Sequence, residues 1–153
     1  MNSERATTKL EALQQMITGE REFPPSGKTL GLKMVEVDEG TTTIEMDVKE
    51  PFLNRGGGVQ GGFLAALVDA AMGTSLGTIC AIDENHATLE FKLNFLRPAS
   101  ARNTPLRATG KVLFRGRNFA HTEGDIVGSD GKLVAKATAS WIIRRNEAEG
   151  DRD

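Results

Sequence analysis

Residues 54–69 decide the fold of this chain, and they read Asn54-Arg-Gly-Gly-Gly-Val-Gln-Gly-Gly-Phe-Leu-Ala-Ala-Leu-Val-Asp69. The first half is a glycine-rich loop, and the second half opens an apolar stretch. Apolar residues recur at helical steps as far as Ile79, which predicts a helix over residues 62–79. The neighbouring stripe of this helix consists of small residues and one carboxylate, namely Gly62, Ala65, Ala66, Asp69, Ala70 and Gly73. We therefore expect a central helix that is covered from several directions.

Strands are predicted on both sides of this helix, because apolar and polar residues alternate there with a period of two. The predicted elements are a helix over 3–18 and strands over 30–37, 44–48, 88–95, 106–114, 119–127 and 133–143. In the first strand after the helix, the alternation places Leu89, Phe91, Leu93 and Phe95 on one face and Thr88, Glu90, Lys92 and Asn94 on the other. The element order predicts an α+β fold, an antiparallel meander with one central helix.

Composition narrows the function classes. The chain has 153 residues, of which 39% are hydrophobic and 26% are charged, which suits one globular domain. A net charge of −2 argues against a nucleic-acid partner. A single cysteine, Cys80, excludes an internal disulfide. The polar N-terminus does not resemble a signal peptide, and polar residues interrupt the longest apolar run. We expect a cytoplasmic protein with no membrane partner.

The glycine cluster also matches the dinucleotide pattern G-x-G-x-x-G over residues 56–61. A Rossmann half needs strands that alternate with helices, whereas one helix followed by several strands is predicted here. The loop is better explained as a tight entry to the helix. Because the first N–H groups of a helix are unpaired and carry its positive dipole end, this loop could hold an oxyanion.

Asp69 is the most informative single residue. A carboxylate beside an apolar helical face is costly unless it has a partner. No metal site is predicted, because His86 and His121 are the only histidines and neither belongs to a metal-ligating pattern. No G-x-S-x-G sequence supports a serine hydrolase triad. Cys80 is expected to be buried and inert.

The segment 54–69, together with Thr88-Leu-Glu-Phe-Lys-Leu-Asn-Phe-Leu-Arg-Pro98, resembles the hotdog-fold thioesterases. Within that family it is most similar to the phenylacetate-degradation (PaaI-like) acyl-CoA thioesterases, from about Gly31 to Arg145. The family signature is an Asn, then His-Gly-Gly, then an Asp or Glu nine residues after the His. A strand that begins with Thr or Ser follows. The spacing in this chain agrees with that signature.

The resemblance implies a long central helix wrapped by a curved antiparallel sheet, with an N-terminal helix. Together with the helical pattern near the N-terminus and the charged residues at the C-terminus, it divides the chain into an N-terminal helix and linker (1–28), a hotdog domain (29–145) and a disordered tail (146–153). The resemblance further implies a homodimer with sheets joined edge to edge, or a homotetramer built as a dimer of dimers. Each active site would lie at the dimer interface. The substrate would be an acyl-CoA or aryl-CoA thioester, and no further cofactor is expected.

Site roles also follow from the resemblance. Asp69 would be the nucleophile or the base that activates water, and the Gly61 N–H would bind the thioester carbonyl oxygen. Asn54 would orient that carbonyl or the water, and Thr88 would hold the water or the carboxylate. Coenzyme A would lie near Gly62 and near two basic residues on a predicted turn, Arg115 and Arg117, which could otherwise be a solvated hairpin tip.

Gln60 is the one departure from the family signature, since it stands where the family has His. Glutamine can donate a hydrogen bond but cannot carry a positive charge near neutral pH. Gln60 therefore motivates one alternative to the thioesterase, an acyl-CoA-binding or sensing protein without catalysis on the same fold. A second alternative is a hotdog dehydratase. It would pair a catalytic His with an acid, and Gln60 argues against it because it occupies the loop position that could supply the His.

Overall fold

The computed structural model describes residues 6–146, and two short helices precede the sheet. The first, α1, is Lys9–Thr18, so the prediction that this helix already includes residues 6–8 is wrong. Thr8 caps it, because its side chain accepts from the Glu11 N–H while the Glu11 carboxylate accepts from the Thr8 N–H. The second helix, α2, spans Pro25–Leu30 and was not predicted. Proline at the first helical position favours the start of this helix.

Six antiparallel strands and one long helix make up the rest of the fold. Their bounds are β1 Leu32–Asp38, β2 Thr41–Met46, α3 Gly61–Gly77, β3 Glu84–Phe95, β4 Leu106–Arg115, β5 Phe119–Val127 and β6 Leu133–Arg145. The strand order is β1-β2-β4-β5-β6-β3, so the predicted simple meander is wrong. The strand β3 crosses to the far edge and pairs with β6. One side of β3 thus carries no strand partner among the described residues.

The central helix α3 lies directly on the sheet, because two cross-strand neighbours there are glycines. Gly110 of β4 is paired with Gly124 of β5. A Cβ atom at Gly110 would lie 2.2 Å from the Ala71 carbonyl oxygen, and one at Gly124 would lie 2.6 Å from Val68 Cγ2. Only glycine permits this approach of sheet and helix. The core therefore lies between α3 and the concave face of the sheet.

The predicted apolar stripe of α3 is confirmed. Its buried residues are Leu64, Leu67, Val68, Ala71, Met72, Ser75, Leu76 and Gly77. Burying one large apolar side chain contributes about 1.5–3 kcal/mol. The stripe therefore provides much of the burial that fixes α3, and with it the position of Asp69.

The alternation predicted for β3 is wrong at its start, because a bulge interrupts the register between Thr88 and Glu90. The extra residue, Leu89, is 52% exposed. Thr88 consequently faces α3, on the same side of the sheet as the half-buried Phe91 further along the strand. A β-bulge re-aims the side chains beside it, and bulges are common next to functional sites.

Apart from Asn146, the predicted disordered tail lies outside the described residues. No helix within residues 6–146 combines the length and the apolar character that a membrane crossing requires.

Candidate active site

Asp69 lies in the middle of α3 and is half-buried. The Thr88 hydroxyl donates to its Oδ1 at 2.9 Å, so the predicted contact between these two residues is present. The contact joins the central helix to the edge strand β3. A hydrogen bond of this kind fixes the rotamer of the carboxylate and leaves its second oxygen available.

Asp69 borders an open pocket of about 490 Å³. The small-residue stripe of α3 forms one side, and β3 and β6 contribute His86, Thr88 and Trp141. The N-terminal segment supplies the opposite wall, formed by Met16, Phe23, Pro24, Ser26, Gly27 and Leu30, with Leu32 of β1 beside it. The volume lies within the range of small-molecule sites. The arrangement places a single carboxylate in a largely apolar pocket.

His86 belongs to this pocket, and the sequence interpretation missed it. Its ring meets the Trp141 ring edge-on at a centroid distance of 5.6 Å, and its Nδ1 lies 3.9 Å from Cys80 Sγ. Burial lowers the pKa of His86, and the nearby Lys9 charge lowers it further. A hydrogen bond to the Gly73 carbonyl and the charge of Asp69 act in the opposite direction. The signal was available, since His86 lies two residues before Thr88 on one strand and so shares its face.

Cys80 is buried as predicted. Burial raises the pKa of its thiol, which disfavours the reactive thiolate.

The glycine-rich loop before α3 is shaped by Asn54. Its Oδ1 accepts from the N–H groups of Gly56 and Gly58, at 2.9 and 3.2 Å. Gly57 between them has φ +79°, a conformation that suits glycine. The Asn54 carbonyl oxygen is thus committed to the loop, and its amide nitrogen is the group left to bind a substrate.

The loop delivers two N–H groups at the start of α3. Among the residues described, neither the Gly61 N–H nor the Gly62 N–H has a hydrogen-bond acceptor. Gln60 is the N-cap residue and is exposed, and its side chain makes no capping hydrogen bond. The first turn of α3 therefore presents two unpaired N–H groups, which the predicted oxyanion site would require.

A second, smaller pocket of about 400 Å³ lies at this loop. It is lined by Asn54, Gly58, Val59, Gly61, Leu64, Phe95, Leu96, Arg97, Pro98 and Ala99. Phe95 packs closest to the helix start, because a Cβ atom at Gly61 would lie 2.8 Å from its Cζ. The structure thus brings Asn54 and Gly61 together, but in a pocket different from that of Asp69.

Arg115 and Arg117 border a third pocket, of about 560 Å³, at the tip of the β4–β5 hairpin. Arg144 and Arg145 also line it. Arg115 donates to Glu84 Oε2 at 2.5 Å, and this bond holds the pKa of Glu84 below its usual value. Arg115 therefore has a structural partner, whereas Arg117 is exposed.

Comparison with known proteins assigns the chain to a family. A family model described as the Thioesterase superfamily matches residues 56–135, a range that runs from the glycine loop into β6. A protein of Saccharolobus solfataricus is 35% identical over 123 residues, which are 80% of this chain and 85% of that protein. This chain belongs to the thioesterase superfamily. Its predicted activity class, a thiolester hydrolase, is confirmed by this membership.

Within the superfamily, the similar proteins include PaaI-type thioesterases, so the predicted resemblance is confirmed. The acyl-coenzyme A thioesterase PaaI of Escherichia coli is 30% identical over 116 residues, 71% of this chain and 74% of that protein. The structure of a phenylacetic acid degradation-related protein of Ralstonia eutropha is 34% identical, with a TM-score of 0.78 over 86% of this chain and 98% of the other. The E. coli PaaI structure, at 24% identity, has a TM-score of 0.78 and covers 92% of this chain and 98% of its own. The predicted hotdog fold is thereby confirmed.

The geometry sets a constraint on how this thioesterase builds its site. Gly61 and Asp69 lie eight residues apart in α3, which is about 12 Å along the helix axis. Groups that act on one carbonyl must approach it to about 3 Å. The two groups therefore cannot both act on one thioester within one chain.

Proposed function

We propose that this thioesterase hydrolyses acyl-CoA thioesters and that Asp69 is the catalytic carboxylate. The observation that carries the proposal is the placement of Asp69. It is the carboxylate of a largely apolar pocket, and Thr88 fixes it at 2.9 Å. A thiolate leaves readily, so a thioester needs an activated nucleophile and a stabilised oxyanion but little help for its leaving group.

Asp69 can start hydrolysis in two ways. Its free oxygen either attacks the carbonyl carbon, displacing the CoA thiolate and forming an anhydride that water then opens, or takes a proton from a water that attacks the carbon. Either route leaves a free acid and CoA. Positioned base catalysis contributes about 10²–10⁴-fold in rate. Thr88 serves both routes because it holds the carboxylate in one orientation.

The oxyanion site of the proposal is the start of α3 in a neighbouring copy of the chain. The separation of about 12 Å between Gly61 and Asp69 in one chain supports this arrangement. A second copy would place its own Gly61 N–H and Asn54 amide opposite Asp69. The unpaired outer side of β3 is the edge at which the two sheets would join, because exposed edges of this length are normally covered. The proposed assembly is thus a homodimer, or a tetramer made of two such dimers.

The proposed position of the CoA nucleotide is the basic pocket of Arg115 and Arg117. Glu84 already neutralises Arg115, so we assign the phosphate contact mainly to Arg117 and propose a positioning role for Arg115. Gly62 is proposed to contribute its free N–H near the pantetheine arm. No further cofactor is part of the proposal.

A thiol-release assay over a panel of acyl-CoA thioesters tests the proposal. The panel would include short, long and aromatic acyl groups, and we expect release of CoA from at least one group. Binding of acyl-CoA without release for every member would instead favour the binding or sensing alternative. A Gln60→His variant assayed beside the wild type measures whether the departure from the family signature costs rate.

A further inference from the structure

The N-terminal segment of residues 16–30 has no role in the hydrolysis described so far, yet it lines the Asp69 pocket. Met16 is on α1, Phe23 is between the helices, and Leu30 ends α2. All three are partly buried and pack against the core. They face Asp69 and the small-residue stripe of α3 across the pocket.

This wall is held in place at several points. The Lys9 ammonium donates to the Glu84 backbone carbonyl, which ties the start of α1 to β3. Leu13 packs beside Gly77 at the end of α3, since a Cβ atom at Gly77 would lie 3.6 Å from Leu13 Cδ1. Contacts of α1 with β3 and α3 therefore hold the segment of residues 16–30 in place.

Phe23 has its position set by the short helix that follows it. A Cβ atom at Gly27 would lie 2.7 Å from Phe23 Cδ1, so the ring rests directly on the backbone of α2. Only glycine at position 27 leaves room for the ring. The phenyl group thus projects into the pocket as a fixed wall.

Trp141 forms the floor of the pocket, and its neighbours hold it in place. The Trp141 indole N–H donates to Thr122 Oγ1 at 2.8 Å, and its ring meets His86 edge-on. A Cβ atom at Gly73 would lie 3.1 Å from Trp141 Cη2, so the ring also lies against α3. The indole is 3% exposed and cannot swing away without breaking these contacts.

We infer that residues 16–30 form the wall of the acyl pocket and that Phe23 is the side chain that sets which acyl groups reach Asp69. The inference deepens the proposed function and rests on it. The substrate class is thioesters of compact apolar acids, because Phe23 and Trp141, two rings held in place by their neighbours, both line the pocket that contains Asp69. A long unbranched chain that runs towards either ring would have to displace it.

The test measures binding of CoA thioethers, which cannot be hydrolysed, so that it is independent of turnover. S-butyl-, S-octyl- and S-dodecyl-CoA are titrated against the wild type, Phe23→Ala and Ile17→Ala. Trp141 is the only tryptophan and the chain has no tyrosine, so its fluorescence reports on the pocket floor alone. Ile17 is the matched control, because it lies on the same segment, is 45% exposed and does not line the pocket.

In Phe23→Ala, we expect the affinity for the dodecyl thioether relative to the butyl thioether to rise about tenfold, the scale of discrimination that a hydrophobic pocket provides. Ile17→Ala should keep the wild-type ratio. An unchanged ratio in Phe23→Ala overturns the inference, as does the absence of thioether binding to the wild type. If Phe23→Ala does not fold, Phe23→Leu takes its place, with a smaller change in the same direction expected and an unchanged ratio again overturning the inference.

The same panel as thioesters separates this inference from the proposed function. Thioether binding that depends on Phe23, with no thiol release from any thioester, overturns the hydrolase and leaves the pocket wall in place. Thiol release with the same acyl preference in the wild type and Phe23→Ala supports the proposed hydrolase activity and overturns the inference that Phe23 selects the acyl group.

Discussion

Replacing Thr88 by Val tests whether the hydroxyl acts through Asp69. Valine has nearly the shape of threonine and a high β propensity, so β3 and its bulge should be retained. The variant removes only the hydroxyl that donates to Asp69 Oδ1 at 2.9 Å. A hydrogen bond to a charged group contributes about 1.5–3 kcal/mol. If the transition state depends on it fully, kcat falls about 10- to 150-fold.

The assay is thiol release with kcat and KM measured separately. We expect the loss in kcat with little change in KM, because Thr88 orients the carboxylate rather than binding the acyl group. Thr88→Ser keeps a hydroxyl at this position and should recover most of the rate. A Thr88→Val enzyme with wild-type kcat and an unchanged unfolding midpoint would refute the positioning role.

Substitutions at three sites test the start of α3, its packing on the sheet and the half-buried histidine beside Trp141, and Gly62→Ala serves as a control. Gly61→Pro removes the N–H that is the proposed oxyanion donor, at a helical position that favours proline, so kcat for thiol release should fall about 10²–10³-fold. The control Gly61→Ala also places a Cβ atom against the Phe95 ring but keeps the N–H, so its kcat should fall far less. Gly110→Ala places a Cβ atom 2.2 Å from a carbonyl oxygen of α3 and should lower the free energy of unfolding by about 3 kcal/mol or more, measured in urea. Gly62→Ala meets no atom within 4 Å and should change stability by less than about 1 kcal/mol. His86→Gln should reduce the loss of stability on acidification. The measurement is the difference between the urea unfolding midpoints at about pH 7.5 and about pH 5.5, which lie on either side of the ordinary histidine pKa of about 6.5.

The sign of the His86 effect follows from burial. The folded-state pKa of His86 is lowered, so the unfolded chain binds the proton more readily. Stability is therefore complete above about pH 6.5, the unfolded pKa, and decreases as the pH falls towards the folded pKa. A His86→Gln protein with the wild-type dependence between these pH values would contradict this assignment. Equal rates for the Pro and Ala variants at position 61, or wild-type stability of Gly110→Ala, would contradict the other two predictions.

The parts of the fold that depend on local periodicity could be predicted from the sequence. The apolar steps from Leu64 to Leu76 fix the central helix, and the alternation after it fixes four strands. The pair of Asp69 and Thr88 came from the family resemblance, and their hydrogen bond agrees with it. These features depend on residues close in the chain or on one recurring pattern.

The features that were missed depend on contacts between distant residues or on one local detail. The place of β3 at the far edge is decided by its pairing with β6, about fifty residues away. The bulge at Leu89 turns Thr88 towards α3, and a strict period of two cannot show it. Phe23 can pack beside the Asp69 pocket because Gly27 leaves room for its ring, a contact that no pattern around residue 69 contains. The start of α1 could have been predicted from the sequence, since Thr8 and Glu11 have the spacing of a capping box.

The central claim is that Asp69 is the group on which thioester hydrolysis depends. Its most direct test is the rate of thiol release by Asp69→Asn, beside the wild type and Asp125→Asn. Asp125 is a matched control, since it pairs with Lys136 on β6 and does not line the Asp69 pocket. The account predicts a fall in kcat of at least about 10²-fold for Asp69→Asn, with the unfolding midpoint retained, and wild-type turnover for Asp125→Asn. Wild-type turnover by folded Asp69→Asn would contradict the account.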